Sequence, residues 1–481
     1  MKAGSDLGQG LLTHKKTIIM KQKLFVLFAV AAMLAAGCCK PAGVIKTPVP
    51  ARPAGQQDVI GLTAEPIETV HIGVVGLGMR GSEAVNRLAQ IPGAEIVALC
   101  DLLPDRVEES QAILARRGKP AAAGTYSGEQ ESWRGLCEQE DVDLVYICTD
   151  WLNHYPIAMY AMDCGKHVAI EVPAALDMDE IWGLINKSEQ TRQHCMMLEN
   201  CIYDFFEMTT LEMSQRGLFG EIIHAEGAYC HNLDPYWDEY WNNWRLDYNQ
   251  KHRGDVYPTH GIGPICQVLD IHRGDRMTTL VSMDTKSFNG AKIATNHEGK
   301  EVTEFANGDE TSTLIRTEKG KTMLIEHDVM TPRPYSRMYQ VVGTDGYASK
   351  YPIGEYCLRV DKPADKVDAR HISDEKVYRD EEMEALQAGY RNVILTPEFE
   401  ELAKSVGGHG GMDFIMDYRL VYCLRHGLPL DMDVYDLAEW CCLAPLSRVS
   451  LEHGSMPVEV PDFTRGAWNR VQGFSYALAE E

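Results

Sequence analysis

Residues Val70–Leu88 read VHIGVVGLGMRGSEAVNRL. An apolar run comes first, then glycines at 76, 78 and 81, then a stretch with helical apolar spacing that opens on small residues. A glycine triplet set between a strand and a helix is a dinucleotide fingerprint. Gly76 permits the tight turn and Gly78 lets backbone approach a pyrophosphate. Gly81 lets the helix pack on the strand while its N-terminus faces the negative charge. A second apolar run from Ala94 ends at Asp101, about 20 residues past the last glycine. A carboxylate there accepts hydrogen bonds from the adenosine ribose and repels a 2′-phosphate, so NAD is expected over NADP.

Outward from this unit, apolar strands at 143–148, 166–171 and 195–198 alternate with helical stretches. The fold class is α/β: a Rossmann unit with a doubly wound parallel sheet over residues 69–200. Its strand ends carry Asp150-Trp151-Leu152-Asn153-His154, Glu171-Val172-Pro173 and Glu199-Asn200, where such folds gather ligands. From 201 to 481 the pattern changes to one helix ending near Gly217, several alternating strands, and two helices over 411–426 and 433–452. These predict a C-terminal α+β domain, the substrate and catalytic half, with a largely antiparallel open sheet. That sheet forms one wall of the cleft and offers its open face to a partner copy in a homo-oligomer.

The chain has 481 residues, 46 Lys and Arg against 70 Asp and Glu, and a net charge of −24. So acidic a surface repels phosphate backbones, and no nucleic-acid partner is expected. A basic start, a short apolar run from Leu24 and small residues before Cys38 read as a lipoprotein signal over residues 1–38, with Met20 the expected true start. Cys38 would be lipidated, giving an exported bacterial lipoprotein that faces the periplasm, by the sorting rule at the outer membrane; an ordinary cleaved signal is the alternative. Residues 39–68 are expected as a tether. The other cysteines lie in apolar runs without CxxC spacing, and no metal site is expected.

The order of GxGxxG, the strand-end Asp101, Glu-Val-Pro and a two-domain plan resembles the glucose–fructose oxidoreductase, inositol dehydrogenase and MocA superfamily. The runs MMLENCIYDF, GAYCHNL, GDVYPTHGIGP, GHGGMD and PLDMDVYDLA resemble glycoside hydrolase family 109, the NAD-dependent α-N-acetylgalactosaminidases, from Val70 to Trp468. The resemblance implies NAD held by Met79, Arg80, Asp101, Trp151, Leu152, Asn153, His154, Glu171, Val172, Asn200 and Tyr257. It implies sugar contacts from Tyr229, Arg245, Tyr257, Pro258, Thr259, His260 and Tyr335. Where members often carry Trp-Glu-Trp-His, this chain has Trp151-Leu152-Asn153-His154.

The activity so implied is retaining hydrolysis of α-N-acetylgalactosaminides, or of a related glycan, without net redox change. Sugar C3 is oxidised, the C2 proton leaves, the C1 substituent is expelled, water adds, and C3 is reduced again. Such a cycle needs bases for the C3 hydroxyl and for C2–H and an acid near the leaving oxygen. Glu171, Tyr203, Tyr257 and His260 are the candidates. Each has a plain alternative: Glu171 positions the cofactor, Tyr203 is core, and His260 merely starts a helix. Trp237, Trp241 and Trp244 are either a core stripe or a sugar platform, and His409 in Gly407-Gly408-His409-Gly410-Gly411 reads as cleft rim. A sugar dehydrogenase with net redox turnover and a non-catalytic sugar-binding lipoprotein are the competing readings.

Overall fold

A computed structural model describes residues 43–359 and 375–479; the lipobox around Cys38 lies outside them. Six strands, β1 Val70–Val75, β2 Ala94–Asp101, β3 Gly124–Ser127, β4 Leu144–Ile147, β5 His167–Ile170 and β6 Cys195–Met197, form a sheet in the order β3-β2-β1-β4-β5-β6. Every pairing is parallel, with Val75 opposite Cys100 on β2 and Ile147 on β4. The strand order reverses between β1 and β4, and that switch point opens a crevice beyond the strand ends. β3 has no counterpart in the sequence reading because its GTYS run is short and half-exposed.

The second sheet comprises β7 Ile222–Cys230, β8 Met277–Asp284, β9 Thr311–Thr317, β10 Thr322–Asp328, β11 Gln340–Gly343, β12 Gly346–Ser349, β13 Glu355–Arg359, β14 Glu375–Tyr378 and β15 Val458–Glu459. Its order is β14-β13-β12-β11-β7-β10-β9-β8-β15. All neighbours are antiparallel except β7 and β10. The helix Thr259–Val268 lies against β7 at unusually close range. A Cβ on Gly227 would sit 2.1 Å from the Gly261 carbonyl oxygen, and one on Gly261 would sit 2.7 Å from the Ala228 nitrogen. Only glycine at both positions permits this approach, which brings the helix start beside Tyr229.

Two sequence expectations change. The helix expected over 433–452 is two, Val434–Cys441 and Leu443–Glu452, because Pro445 cannot donate to the Cys441 carbonyl. The segment expected as a free tether is docked from Lys46 onward. Lys46 pairs with Glu459 at 2.9 Å, Arg52 with Glu189 at 2.9 Å, and the buried Val59 donates its N–H to the Tyr435 hydroxyl at 3.1 Å.

Candidate functional site

The glycine turn passes a fit test for a nucleotide. A Cβ on Gly76 would meet the Cys148 carbonyl carbon at 2.6 Å and one on Gly81 the Gly76 oxygen at 1.8 Å, whereas one on Gly78 would meet only the Arg106 guanidinium at 3.4 Å. The first and third glycines close the turn, and the second leaves an open cradle. A groove of about 500 Å³ runs from Gly78 and Met79 past Asp101, Thr149 and Asn153. Asp101, itself buried, accepts from Leu77 N–H at 2.6 Å and Leu103 N–H at 2.9 Å, with Arg106 at 3.5 Å. It therefore ties the turn to the second strand and faces the groove beside a cation.

Arg80 crosses to the far end of the cleft. Its Nε donates to Glu171 at 2.9 Å, and its Nη1 to Asp413 at 3.0 Å. Asn200 donates to the other oxygen of Asp413 at 2.5 Å, and His409 Nδ1 lies 3.0 Å from the first. Burial would raise the Asp413 carboxyl, yet Arg80 and His409 hold it well below the usual range. Arg80, Glu171 and Asn200 are thus brought together by a residue that sequence reasoning left without a role, although it stands in the quoted GHGGMD run.

The residues expected at the sugar are built on aromatic rings. Tyr257 stacks on Trp151 with centroids 5.6 Å apart, and Tyr229 leans on Tyr257 at 4.7 Å. The buried Arg245 guanidinium sits 4.4 Å from the Tyr257 ring, 5.2 Å from that of Trp151 and 5.8 Å from that of Tyr229, and donates to the Tyr240 hydroxyl at 2.6 Å. Its Nε has no hydrogen-bond partner among the described residues. Burial opposes its charge, and the surrounding phenols more than restore it. A desolvated cation held on aromatic faces is ready for an oxygen that gains negative charge. Tyr335 is 42% exposed and meets His231 edge-on at 5.1 Å.

Three residues form a relay. Tyr257 Oη lies 3.1 Å from His260 Nε2, and His260 Nδ1 lies 2.7 Å from Glu199 Oε1. Burial alone would raise the Glu199 carboxyl; the His260 ring and the Cys201 amide hold it below the ordinary value. A carboxylate only accepts, so in the neutral imidazole Nδ1 carries the proton and Nε2 receives the Tyr257 hydroxyl. Burial pushes the Tyr257 phenol well up, which keeps it protonated at rest. A proton lost from Tyr257 has a base directly behind it. Glu199 was named in the sequence only as a strand-end residue; its partner is 61 positions away.

The other residues read from the sequence take these places, and only Tyr203 and the tryptophans depart from the reading. Tyr203 is fully buried and gives its hydroxyl to Asp431 at 3.1 Å, because the turn Asn200–Tyr203 aims it into the core. Leu152 is 67% exposed on the first turn of the helix Trp151–Asp163. His154 is buried between the Pro173 and Thr149 carbonyls at 2.8 and 3.0 Å, so it braces the wall from behind. Pro258 and Thr259 are buried and set the start of the next helix. Val172 is buried at the end of β5. Trp237 is fully buried, while Trp241 and Trp244 line the nucleotide groove instead of a sugar platform. His231, beside Tyr229 at 3.0 Å, was missed although it lies in GAYCHNL; burial pushes its ring down to about 4.

Among the described residues, two groups place three ligand-type atoms within 4.8 Å of one another: Glu199, Cys201 and His260, and His272, Asp433 and Asp436. The first belongs to the relay, with Arg337 Nη1 on the Cys201 sulfur at 3.1 Å. In the second, His272 is bonded to Glu439 at 2.7 Å, and Arg273 grips Asp436.

Residues 70–198 match the oxidoreductase family with an NAD-binding Rossmann fold, and residues 203–470 match the C-terminal domain of glycosyl hydrolase 109. Glycosyl hydrolase family 109 protein 1 of Bacteroides thetaiotaomicron is 65% identical over 443 residues, 91% of this chain and 93% of that protein. The family 109 protein of Porphyromonas gingivalis is 60% identical over 438 residues, with shares of 91% and 93%. Among solved structures, a levoglucosan dehydrogenase in complex with NADH and L-sorbose aligns with a TM-score of 0.60 at 16% identity, over 82% of this chain and 100% of that one. The myo-inositol dehydrogenase of Lactobacillus casei in complex with NAD(H) and myo-inositol gives 0.54 at 16%, over 82% and 99%. At such identities these two share the fold. With one match across the nucleotide half, another across the C-terminal half and relatives at 60–65% identity over nine-tenths of the chain, the chain belongs to glycosyl hydrolase family 109.

Proposed function

We propose that this chain is a retaining glycosidase for terminal α-N-acetylgalactosaminides, or a closely related glycan, that recycles a bound NAD within each turnover. The observation that carries the reading is the use of the carboxylates. Glu171 and Asp413 are engaged by Arg80, and Glu199 by His260. None faces another as a free acid across the cleft, as a two-carboxylate glycosidase requires. The cleft offers instead a phenol–imidazole relay between a nucleotide groove and a buried guanidinium.

The glycine turn, Arg80, Asp101, Glu171 and Asn200 would hold NAD, which when bound supplies a reversible hydride acceptor. Tyr257 Oη gives its proton to His260 Nε2 as it takes one from a sugar hydroxyl, while Glu199 fixes the ring and offsets the charge that forms on the imidazole. Arg245 stabilises an oxygen that becomes anionic on the sugar. His409, half-exposed on the glycine loop with Nδ1 3.0 Å from Asp413, is our choice of acid toward the leaving oxygen.

Purified protein offered an aryl α-N-acetylgalactosaminide should release the aglycone with no net NADH absorbance. Stoichiometric NADH with an oxidised sugar would favour the dehydrogenase reading. Sugar binding without either product would favour the non-catalytic one. For the N-terminus we propose lipidation at Cys38 and an outer-membrane, periplasm-facing location. Release of the mature chain from membranes without detergent would contradict this. The open face of the second sheet, where Leu314 is 53% exposed, is the proposed contact of a homo-oligomer, to be measured as mass in solution.

A further inference from the structure

One segment of the second domain reaches the nucleotide groove from outside the Rossmann unit. Glu239, Tyr240, Trp241 and Trp244 form the wall that faces Gly78, Asp101 and Asn153. The segment is rooted at both ends. On its N-terminal side Trp237 is fully buried, and His297 bridges Asp238 at 2.8 Å and Asp234 at 3.0 Å. On its C-terminal side the helix Trp244–Lys251 begins, with Trp244 edge-on to Trp151 at 5.1 Å and to Tyr240 at 5.5 Å. Arg245 ties the two sides together through the Tyr240 hydroxyl at 2.6 Å.

Between the roots, Asn242 and Asn243 both adopt left-handed backbone, with φ of 54° and 53°. Asparagine tolerates that region better than other residues with a Cβ, so the pair forms a sharp, locally specified bend. The bend leaves the Trp241 side chain at the groove, in a residue that is 47% exposed. A large indole surface kept in water at the lip of a binding groove is costly unless something covers it, and a nucleotide supplies flat aromatic and sugar faces to do so.

We propose that Glu239–Trp244 is an aromatic clasp over the nucleotide, and that it slows release so that one NAD serves many turnovers. A Rossmann groove alone is open on this side; here the second domain closes it, and departure of the nucleotide requires the segment to move. The arrangement suits an enzyme whose cofactor ends each turnover as it began, and would burden one that must exchange NADH for NAD every cycle. The inference rests on the nucleotide reading of the groove and not on the glycosidase chemistry.

The test follows retained nucleotide in the full chain. Holoenzyme loaded with labelled NAD is freed of unbound nucleotide and chased with excess unlabelled NAD, and bound label is counted over time. Trp241→Ala should release label about tenfold faster or more, with the thermal midpoint of the nucleotide-free protein unchanged. Trp241→Phe should stay near the wild-type rate. NAD should also quench part of the tryptophan fluorescence in the wild type, and less in Trp241→Phe. Release from Trp241→Ala within twofold of wild type, at equal occupancy, would overturn the clasp. A wild-type chain that binds no NAD would overturn the groove reading itself and the clasp with it, whatever its action on glycosides.

Discussion

The two halves of the cleft are assembled in opposite ways. In the Rossmann half, groups close in sequence act together: Gly76, Gly78 and Gly81 shape one turn, and Asp101 at the end of the adjacent strand bonds that turn through Leu77. In the second half the working groups come from distant stretches: Tyr229 on β7, Arg245 and Tyr257 after it, and Tyr335 beyond β10, with the relay closing onto Glu199 back in the first half. A local motif shapes the nucleotide cradle, whereas the proposed acid–base site exists only when both domains are packed. Damage to the first half should therefore show as nucleotide binding, and damage to the second as chemistry with binding intact.

The largest expected effect breaks the relay. His260→Ala should lower hydrolysis about 10²–10⁴-fold, the range of a general acid–base group, while nucleotide occupancy stays at the wild-type level when the denatured protein is assayed. Parallel loss of occupancy would erase the distinction between the halves. Glu199→Gln removes only the group that orients the ring. We expect kcat to fall by about 10²-fold or more, as for other carboxylates that set a histidine tautomer, with a shifted pH–rate profile and partial rescue by Glu199→Asp. An unchanged pH profile would reduce Glu199 to a packing residue.

On the other side, Asp101→Ala leaves the Leu77 N–H without its partner, a loss of about 1–3 kcal/mol, and frees Arg106, now 3.5 Å away. NAD should bind roughly tenfold more weakly, by about 1.4 kcal/mol, and NADP more tightly than before, as measured by titration. Equal weakening of both nucleotides would mean that Asp101 only braces the turn.

The smallest effects concern buried histidines, whose stability signs differ with the charges around them. In the Rossmann half, burial pushes His167 down to about 4 and His194 to about 3. The unfolded chain then binds protons that the folded chain refuses, so stability falls as pH drops from 6.5 toward 4. Burial and Arg273 also push His272 down, but Glu439, Asp436 and Asp433 together carry it up to about 10. Its contribution is full below 6.5 and is lost as pH rises toward 10. Thermal midpoints against pH should show both limbs, and His272→Gln should make the alkaline one shallower while leaving the acid one in place.

What was legible in the sequence follows the same division. The glycine triplet, Asp101 and the alternation of strands and helices are local signals, and they led to the parallel sheet and its crevice. Tyr257 and His260 were legible as a pair because they lie on one helix start. Glu199, Asp413 and His231 stood inside quoted motifs, yet nothing local says that Glu199 meets His260 or that Asp413 meets Arg80; those contacts are made by domain packing. Tyr203 misled because a polar aromatic residue after a strand end reads as a cleft residue, while a single 3₁₀ turn aims it at Asp431. The tryptophan-rich run had the right composition for a ligand platform, but its backbone bend at Asn242 and Asn243 delivers it to the groove beside Gly78 and Asp101.

The proposed hydrolysis requires removal and return of a proton at sugar C2. Hydrolysis of an α-N-acetylgalactosaminide in D₂O, followed by mass and NMR analysis of the released sugar, tests it directly. Deuterium should appear at C2 of the product, with configuration retained at C1 and no net NADH. A product that carries no deuterium at C2 would contradict it.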